Sequence, residues 1–278
     1  MTIWTFRCNK PNCREGNHFC RKEGYGMKIV HTQGVVLRYV NRNEADRLLT
    51  VLSPELGKIT VLARGCRKPK SRFLAISQLF CYGDLILQSY RDIYIMNQAE
   101  VRNSYFDIRN DLERLSYATY IINLTEEAAT TGESNFPLFR LLLDGLTYIA
   151  YGERDSGEVT LVYELKLMDI IGYRPVLDAC TICGSSPMGT LCYFSPERGG
   201  IVCGNCSSQE IAQIPVRPET SENMRAILDA DMDECFHIPI SSRAKEQMNK
   251  ILPAYIEQKL EKKIKSRDFL QSFFHLAP

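Results

Sequence analysis

Neither sign of charge prevails in this chain of 278 residues, where 34 lysines and arginines face 33 aspartates and glutamates. No global field draws it to nucleic acid or to a membrane, so any electrostatic binding has to come from a local patch. Long apolar runs are missing too: nothing approaches the roughly twenty residues that span a bilayer, and the first residues lack the compact apolar core of a signal peptide. The expectation is a soluble cytoplasmic protein with no membrane partner. The sequence also has no GxxxxGK[ST] loop, no cluster of carboxylates at a recognisable metal spacing and no His-x-Glu tripeptide. These gaps argue against nucleotide hydrolysis, metal-dependent nuclease chemistry and zinc-dependent deamination, and the expectation is that the protein is not an enzyme.

What is present includes eleven unevenly placed cysteines. Four form two pairs, Cys180-Thr-Ile-Cys183 and Cys203-Gly-Asn-Cys206, and two residues between partners let both sulfurs of a tight knuckle point at one atom. Four such thiolates make the closed tetrahedral site that structural Zn2+ prefers, with no position left open for water. Between them, Cys192 to Gly200 alternates and then turns as a small hairpin does, which would return the second knuckle to the first. A disulfide pair or reduced buried cysteines is the alternative, and Cys192 is an extra thiol without an assigned role. Metal spacing rather than a disulfide framework points to a reducing compartment. The knuckle is expected as an insertion at about 178–207.

Residues 1–26 mix Cys8, Cys13, His18 and Cys20 with Gly, Asn, Arg and Lys, without a period of two or 3.6. They read as a disordered tail, a start-site extension before Met27, or a second small metal knot. From Met27 to about residue 102 the pattern is strand-like: Ile29 to Val40, Arg47 to Leu52, Lys58 to Ala63, Phe80 to Ser89 and Ile93 to Val101. Ser53-Pro-Glu-Leu-Gly57 and Arg91-Asp92 supply turns. Five short strands of this size suit a small closed barrel of the OB type. No acidic residue lies between Leu56 and Gly83, whereas Lys58, Arg64, Arg67, Lys68, Lys70 and Arg72 all do. These six are the candidate DNA-binding residues, because each cation on a backbone phosphate releases condensed counterions. Phe73, Phe80, Tyr82, Tyr90 and Tyr94 could offer faces to unpaired bases, although barrel interiors also use aromatics as packing.

Beyond residue 103 the period lengthens to that of helices. Asp111 to Thr131 is one, with Gly132 at its C-terminal cap; another starts at Asn135-Phe-Pro and ends near Gly152; a third, apolar nearly all round, runs from Ser156 to Ile171. Past the knuckle, one helix is expected from about Glu219 to Asp231. A longer one should run from Ser241 to Ser266, kinked at Pro253, its basic end from Lys259 explained by the helix macrodipole.

Four stretches along the chain resemble one family. Tyr163-Glu-Leu-Lys-Leu-Met-Asp-Ile-Ile-Gly-Tyr-Arg-Pro175, Cys180-x-x-Cys183-Gly184, Phe194-Ser-Pro-Glu-x-Gly-Gly200 with Cys203-x-x-Cys206, and the basic Ala63 to Arg72 segment resemble the bacterial recombination mediators RecO, and Lys265-Ser-Arg267 resembles their last helix. The resemblance implies an α+β architecture: an OB-type five-stranded barrel at 27–102, then a mainly helical domain at 103–278 carrying a four-cysteine zinc knuckle. It implies binding of single- and double-stranded DNA, annealing of complementary strands and, with RecR, help in loading RecA onto single strands covered by SSB, whose acidic and apolar C-terminal tail is a further partner. A zinc-stabilised interaction scaffold without direct DNA binding is the other function expected of such a chain.

Overall fold

Period-two alternation from residue 29 onward builds an antiparallel meander whose inward side chains are aliphatic. The computed structural model of the chain describes residues 28–186, 192–209 and 213–274, so the leading segment 1–26 lies outside the described residues. Strands β1 (Ile29–Arg42), β2 (Asp46–Ser53), β3 (Gly57–Ala63), β4 (Tyr82–Tyr90) and β5 (Ile93–Asn103) close into a barrel in the order β1-β2-β3-β5-β4. Each begins and ends within two residues of the run that the alternation marks out. The short contact between β3 and β5 is parallel and all others are antiparallel, which is the OB arrangement. Val36, Leu49, Val51, Val61, Leu85, Leu87 and Met96 fill the interior.

The connection from β3 to β4 has no helix. It advances by turns, with Leu74, Ser77 and Gln78 donating backbone N–H groups to Ser71, Phe73 and Ala75, and it drops Phe73, Ile76 and Cys81 into the barrel as a plug.

Helices α1 (Leu112–Ala128), α2 (Phe136–Tyr151) and α3 (Ser156–Ile170) follow. Each starts at an acid or amide whose side chain accepts orphan N–H groups: Asp111, Asn135 and Asp155. Every residue of α3 from Val159 to Met168 is buried, so this helix is the axis of the bundle. It ends in a Schellman motif at Gly172, φ 88°, where Tyr173 N–H reaches Met168 O at 2.7 Å and Gly172 N–H reaches Asp169 O at 3.0 Å.

Helix α1 stops earlier than its periodicity suggests, at Ala128, and Gly132 is not its cap. The cause is tertiary: the chain leaves the helix to pair with the start of β3, Lys58 N–H donating to Thr130 O at 3.3 Å and Gly132 N–H to Lys58 O at 3.2 Å.

Strands β6 (Cys192–Ser195), β7 (Gly200–Cys203) and β8 (Ile214–Val216) form a small sheet in the order β7-β6-β8, and α4 (Pro218–Asp229) leads back to the bundle. The expected long final helix is two helices, α5 (Ser242–Leu260) and α6 (Lys265–Phe274). Pro253 sits inside α5 without ending it, and the break comes at Glu261, which takes the left-handed conformation at φ 51°. The break turns α6 back across the bundle, which buries Ile264 and Arg267. The macrodipole account of the basic run therefore fails for Arg267.

Arg267 Nη1 donates to Glu164 Oε1 at 2.7 Å, and Tyr120 Oη donates to the same oxygen at 2.6 Å. Glu164 is wholly buried, and burial holds its carboxyl above the ordinary range against the pull of the guanidinium. Burial, and then the charge of Glu164, keep the Tyr120 hydroxyl well above its usual pKa, so it remains a donor. Arg267→Ala leaves a buried carboxyl without its cation and is expected to cost about 3–5 kcal/mol in denaturant unfolding. Glu164→Met combined with Arg267→Met removes both charges and should cost clearly less; equal losses would show that packing, not the ion pair, holds α6.

Candidate nucleic-acid interface and metal centre

The β3–β4 loop owes its shape to backbone hydrogen bonds made at its start. Gly65, at φ 65°, gives its N–H to Asp46 Oδ1 at 2.7 Å; Lys68 N–H reaches Gly65 O at 3.2 Å and Ser71 N–H reaches Lys68 O at 2.9 Å. Arg67 staples the loop to the β1–β2 turn, its backbone N–H donating to Ala45 O and its Nη1 to Asn43 O, both at 3.0 Å. Arg72 lies over the Phe73 ring, 4.7 Å from its centre, and donates to Asn97 O at 2.8 Å.

The loop walls a trough on the outside of the barrel. An open groove of about 670 Å³ is lined by Arg64, Lys68, Lys70, Arg72 and, from β5, Ile95 and Asn97. A second groove of about 310 Å³, between Arg42, Asn43, Leu62 and Tyr90, shares Arg64 and Ile95 with it. The side chains of Arg64, Lys68 and Lys70 are exposed and have no hydrogen-bond or ion-pair partner among the described residues.

Four of the six sequence-selected cations thus line one groove, and Arg67 supports the loop beside it. Lys58 does not join them. It sits at the other end of β3, six residues and about 20 Å from Arg64, and its Nζ donates to Glu126 O of α1 at 2.5 Å. Of the five aromatics, Phe80 is buried in the helical core, Phe73 is buried under Arg72 and Tyr94 packs on the barrel interior. Tyr82 meets Phe139 edge-on at 6.1 Å. Only Tyr90 of these lines the trough with an open ring, with the Arg91 guanidinium 5.5 Å from its centre. Arg42, Asn43 and Asn97 also line the trough but lie on other strands and turns, and no local charge run marked them.

The second cluster is sulfur. Cys180 and Cys183 sit on a turn closed by Gly184 N–H donating to Cys180 O at 2.8 Å, with Gly184 at φ 73°; Cys203 ends β7 and Cys206 follows on the next turn. Thr181 N–H donates to Ile201 O at 2.8 Å and brings the two knuckles together. All four sulfurs lie within 4.8 Å of one another, and Cys183 Sγ is 3.8 Å from Cys203 Sγ. Zn–S bonds of about 2.3 Å in a tetrahedron place sulfurs about 3.8 Å apart, so the donor set and its spacing fit such an ion.

Cys203 N–H points at Cys180 Sγ at 3.4 Å. Burial would raise the Cys180 thiol, but this donor and the N–H groups of Cys183 and Ile182 bring it down to about 6. Cys206 goes the other way, to about 12, through its hydrogen bond with Cys183, burial and the adjacent thiolates. Crowded sulfurs resist the last deprotonation, and a divalent cation supplies the charge that relieves it. Cys192 lies opposite Cys203 in the strand register but is buried in the helical core, outside the sulfur cluster.

Comparison with known proteins agrees with this layout. A family model described as "Recombination protein O N terminal" matches residues 27–105, and one described as "Recombination protein O C terminal" matches 109–268. The chain is 31% identical over 246 residues to the DNA repair protein RecO of Acetivibrio thermocellus, covering 88% of this chain and 98% of that protein. It is 33% identical over 248 residues to the protein of that name from Desulforamulus reducens, covering 89% and 96%, and 30% identical over 239 residues to that of Bacillus cereus strain B4264, covering 86% and 95%.

Cys180→Ser removes one of the four donors. Metal content, measured by atomic emission on the purified protein, is expected to fall, and thermal unfolding to drop by more than about 5 °C. Full stability without metal would mean that packing alone holds the knuckle.

Proposed function

The chain belongs to the RecO family of DNA repair proteins, and from that premise we propose that it is a DNA-binding recombination mediator. It holds single- and double-stranded DNA, anneals complementary strands and, with RecR, helps load RecA onto SSB-covered single strands. The observation that carries this reading is the trough of unpartnered cations along the β3–β4 loop. Two strands held by their phosphates on such a surface repel each other less, so their bases meet more often. Annealing of this kind needs proximity and no active site, and the protein is not an enzyme.

In this reading residues 27–102 are the DNA-binding unit and residues 103–278 carry the SSB tail site and the knuckle at 178–207. The ion is Zn2+ and its role is structural: four cysteines close its coordination shell, and no histidine or carboxylate joins them among the described residues. The protein works in the cytoplasm. No helix among the described residues is long and apolar enough to cross a membrane.

Replacing Arg64, Lys68, Lys70 and Arg72 with alanine should weaken DNA binding by about tenfold or more. It should also flatten the salt dependence by about 0.7 in log–log slope for each single-strand phosphate that the variant no longer neutralises. Lys58→Ala is expected to leave DNA affinity intact and to lower stability instead, because its partner is the α1 carbonyl. If the fourfold variant keeps affinity and slope, the scaffold function takes the place of DNA binding. Strand annealing on SSB-covered DNA, falling steeply with salt, is the activity to measure beside it.

A further inference from the structure

Cys192 is the thiol of the knuckle that the sulfur cluster leaves out. The register of β6 and β7 sets Cys192 opposite Cys203, Tyr193 opposite Val202 and Phe194 opposite Ile201. Opposed residues in an antiparallel pair alternate between those that exchange backbone hydrogen bonds and those that do not, and side chains come closest in the second kind. Ile201 is of the second kind, since its N–H donates away from β6 to Val176 O at 2.9 Å and its carbonyl accepts the Thr181 N–H at 2.8 Å. Cys203, two residues on, is of the same kind, and its N–H turns away from β6 to Cys180 Sγ at 3.4 Å. Cys192 and Cys203 therefore stand side by side on one face of the small sheet.

The Cα atoms of such a pair lie about 4.5 Å apart, inside the range of about 4.4–6.8 Å that a disulfide bridges. Neither thiol is in a disulfide, and both are buried. Rotation about its Cα–Cβ bond is what would carry the Cys203 sulfur from the other three donors to Cys192. A cleft of about 130 Å³ between the knuckle and α4 is lined by Cys192, with Leu177, Ile201 and Val216 beside it and the exposed Arg217 and Arg225 at its rim. At about 30 Å³ for a water, it has room for several molecules of peroxide size.

We propose that Cys192 and Cys203 are a redox pair, joined by a peroxide in a disulfide that takes Cys203 away from the metal. The bond follows from strand register, and its consequence rests on the reading of the sulfur cluster as a metal site. The Cys192 sulfur attacks one peroxide oxygen, the O–O bond breaks, and the thiol proton leaves with the departing hydroxide as water. The Cys203 thiolate then attacks the sulfenic acid so formed: the S–S bond forms, the S–O bond breaks, and hydroxide leaves to take a proton from solvent. Two sulfurs have given up two electrons and the peroxide has become two waters. Three thiolates remain where the ion needs four, and the site no longer holds it. Cys183, with its sulfur 3.8 Å from that of Cys203, is the competing partner. Its spacing is that of two donors to one ion, which engages both sulfurs, whereas Cys192 stands outside the shell and on the cleft.

The test treats the metal-loaded full-length protein with hydrogen peroxide and follows metal release with a chromogenic chelator. Disulfides are mapped by mass spectrometry after cutting the chain between Cys183 and Cys192. Peptides joined through Cys192 and Cys203 are expected to appear in step with the released metal, and dithiothreitol with Zn2+ should reverse both changes. In Cys192→Ala, release at the same peroxide concentration is expected to slow about fivefold or more. If that variant fails to fold by circular dichroism, mapping of the unaltered protein decides.

A disulfide within the four donors instead, Cys183 to Cys203 above all, overturns the inference and leaves the metal reading intact. So does release from Cys192→Ala at an unchanged rate. Protein that is purified without metal and takes up none from Zn2+ sinks the metal reading. A disulfide of Cys192 with Cys203 in that protein upholds the pair as a modification site, and its absence overturns it.

Discussion

Everything in this molecule is placed by the seam between the barrel and the first helix. At one end of β3 the chain beyond α1 pairs with Gly57 and Lys58, and Lys58 Nζ closes on the carbonyl of Glu126. Gly57 is required there: at φ 63°, an added Cβ would lie 2.1 Å from Glu133 O. Val35, Leu37, Leu52 and Phe80 leave the barrel to join the helical core, so the two parts share apolar surface as well as hydrogen bonds. With one end of β3 committed to the helices, the basic loop at the other end remains in solvent. The same strand thus ties the barrel to the helical part at one end and leads into the exposed basic loop at the other.

The helical part is held by two different kinds of constraint. Around α3, buried apolar contact is nearly complete, and the ion pair of Glu164 with Arg267 is set into it as a polar exception. Such a pair adds little net stability but penalises any arrangement that separates its partners, which favours one position of α6 over others. The knuckle uses sulfur in the same way. Its small sheet could not bury enough surface to stand alone. It leans on the bundle through Phe194 against Tyr255, with ring centres 5.3 Å apart, and through Tyr255 Oη donating to Tyr173 O at 2.8 Å.

This division fits the role proposed for the protein. A mediator that handled two strands and handed one on would need a binding surface whose affinity salt and competitors can tune, and exposed cations would provide that. It would also need a rigid body on which partners assemble. The deep packing of α3 and the closed sulfur site supply the rigidity, and neither asks for chemistry.

Much of this was legible in the amino-acid sequence, for reasons local to the chain. Alternation located five strands within two residues of their ends, helical periodicity located three helices although the cap assigned to the first was wrong, and the paired CxxC spacing located the sulfur cluster. The gap in acidic residues marked a loop of which four cations do line one groove. What sequence could not reveal was decided by contacts distant along the chain. Lys58 reads like its neighbours, yet pairing with α1 takes it out of the basic face. The early end of α1 follows from β3, not from its own residues. Arg267 reads as a helix-end cation but is drawn into the core by a glutamate 103 residues away. Periodicity and spacing belong to a chain segment by itself, so they determined the elements and the sulfur cluster. Which charge is spent on folding and which is left for a ligand depends on what stands opposite it, and only the tertiary structure decides that.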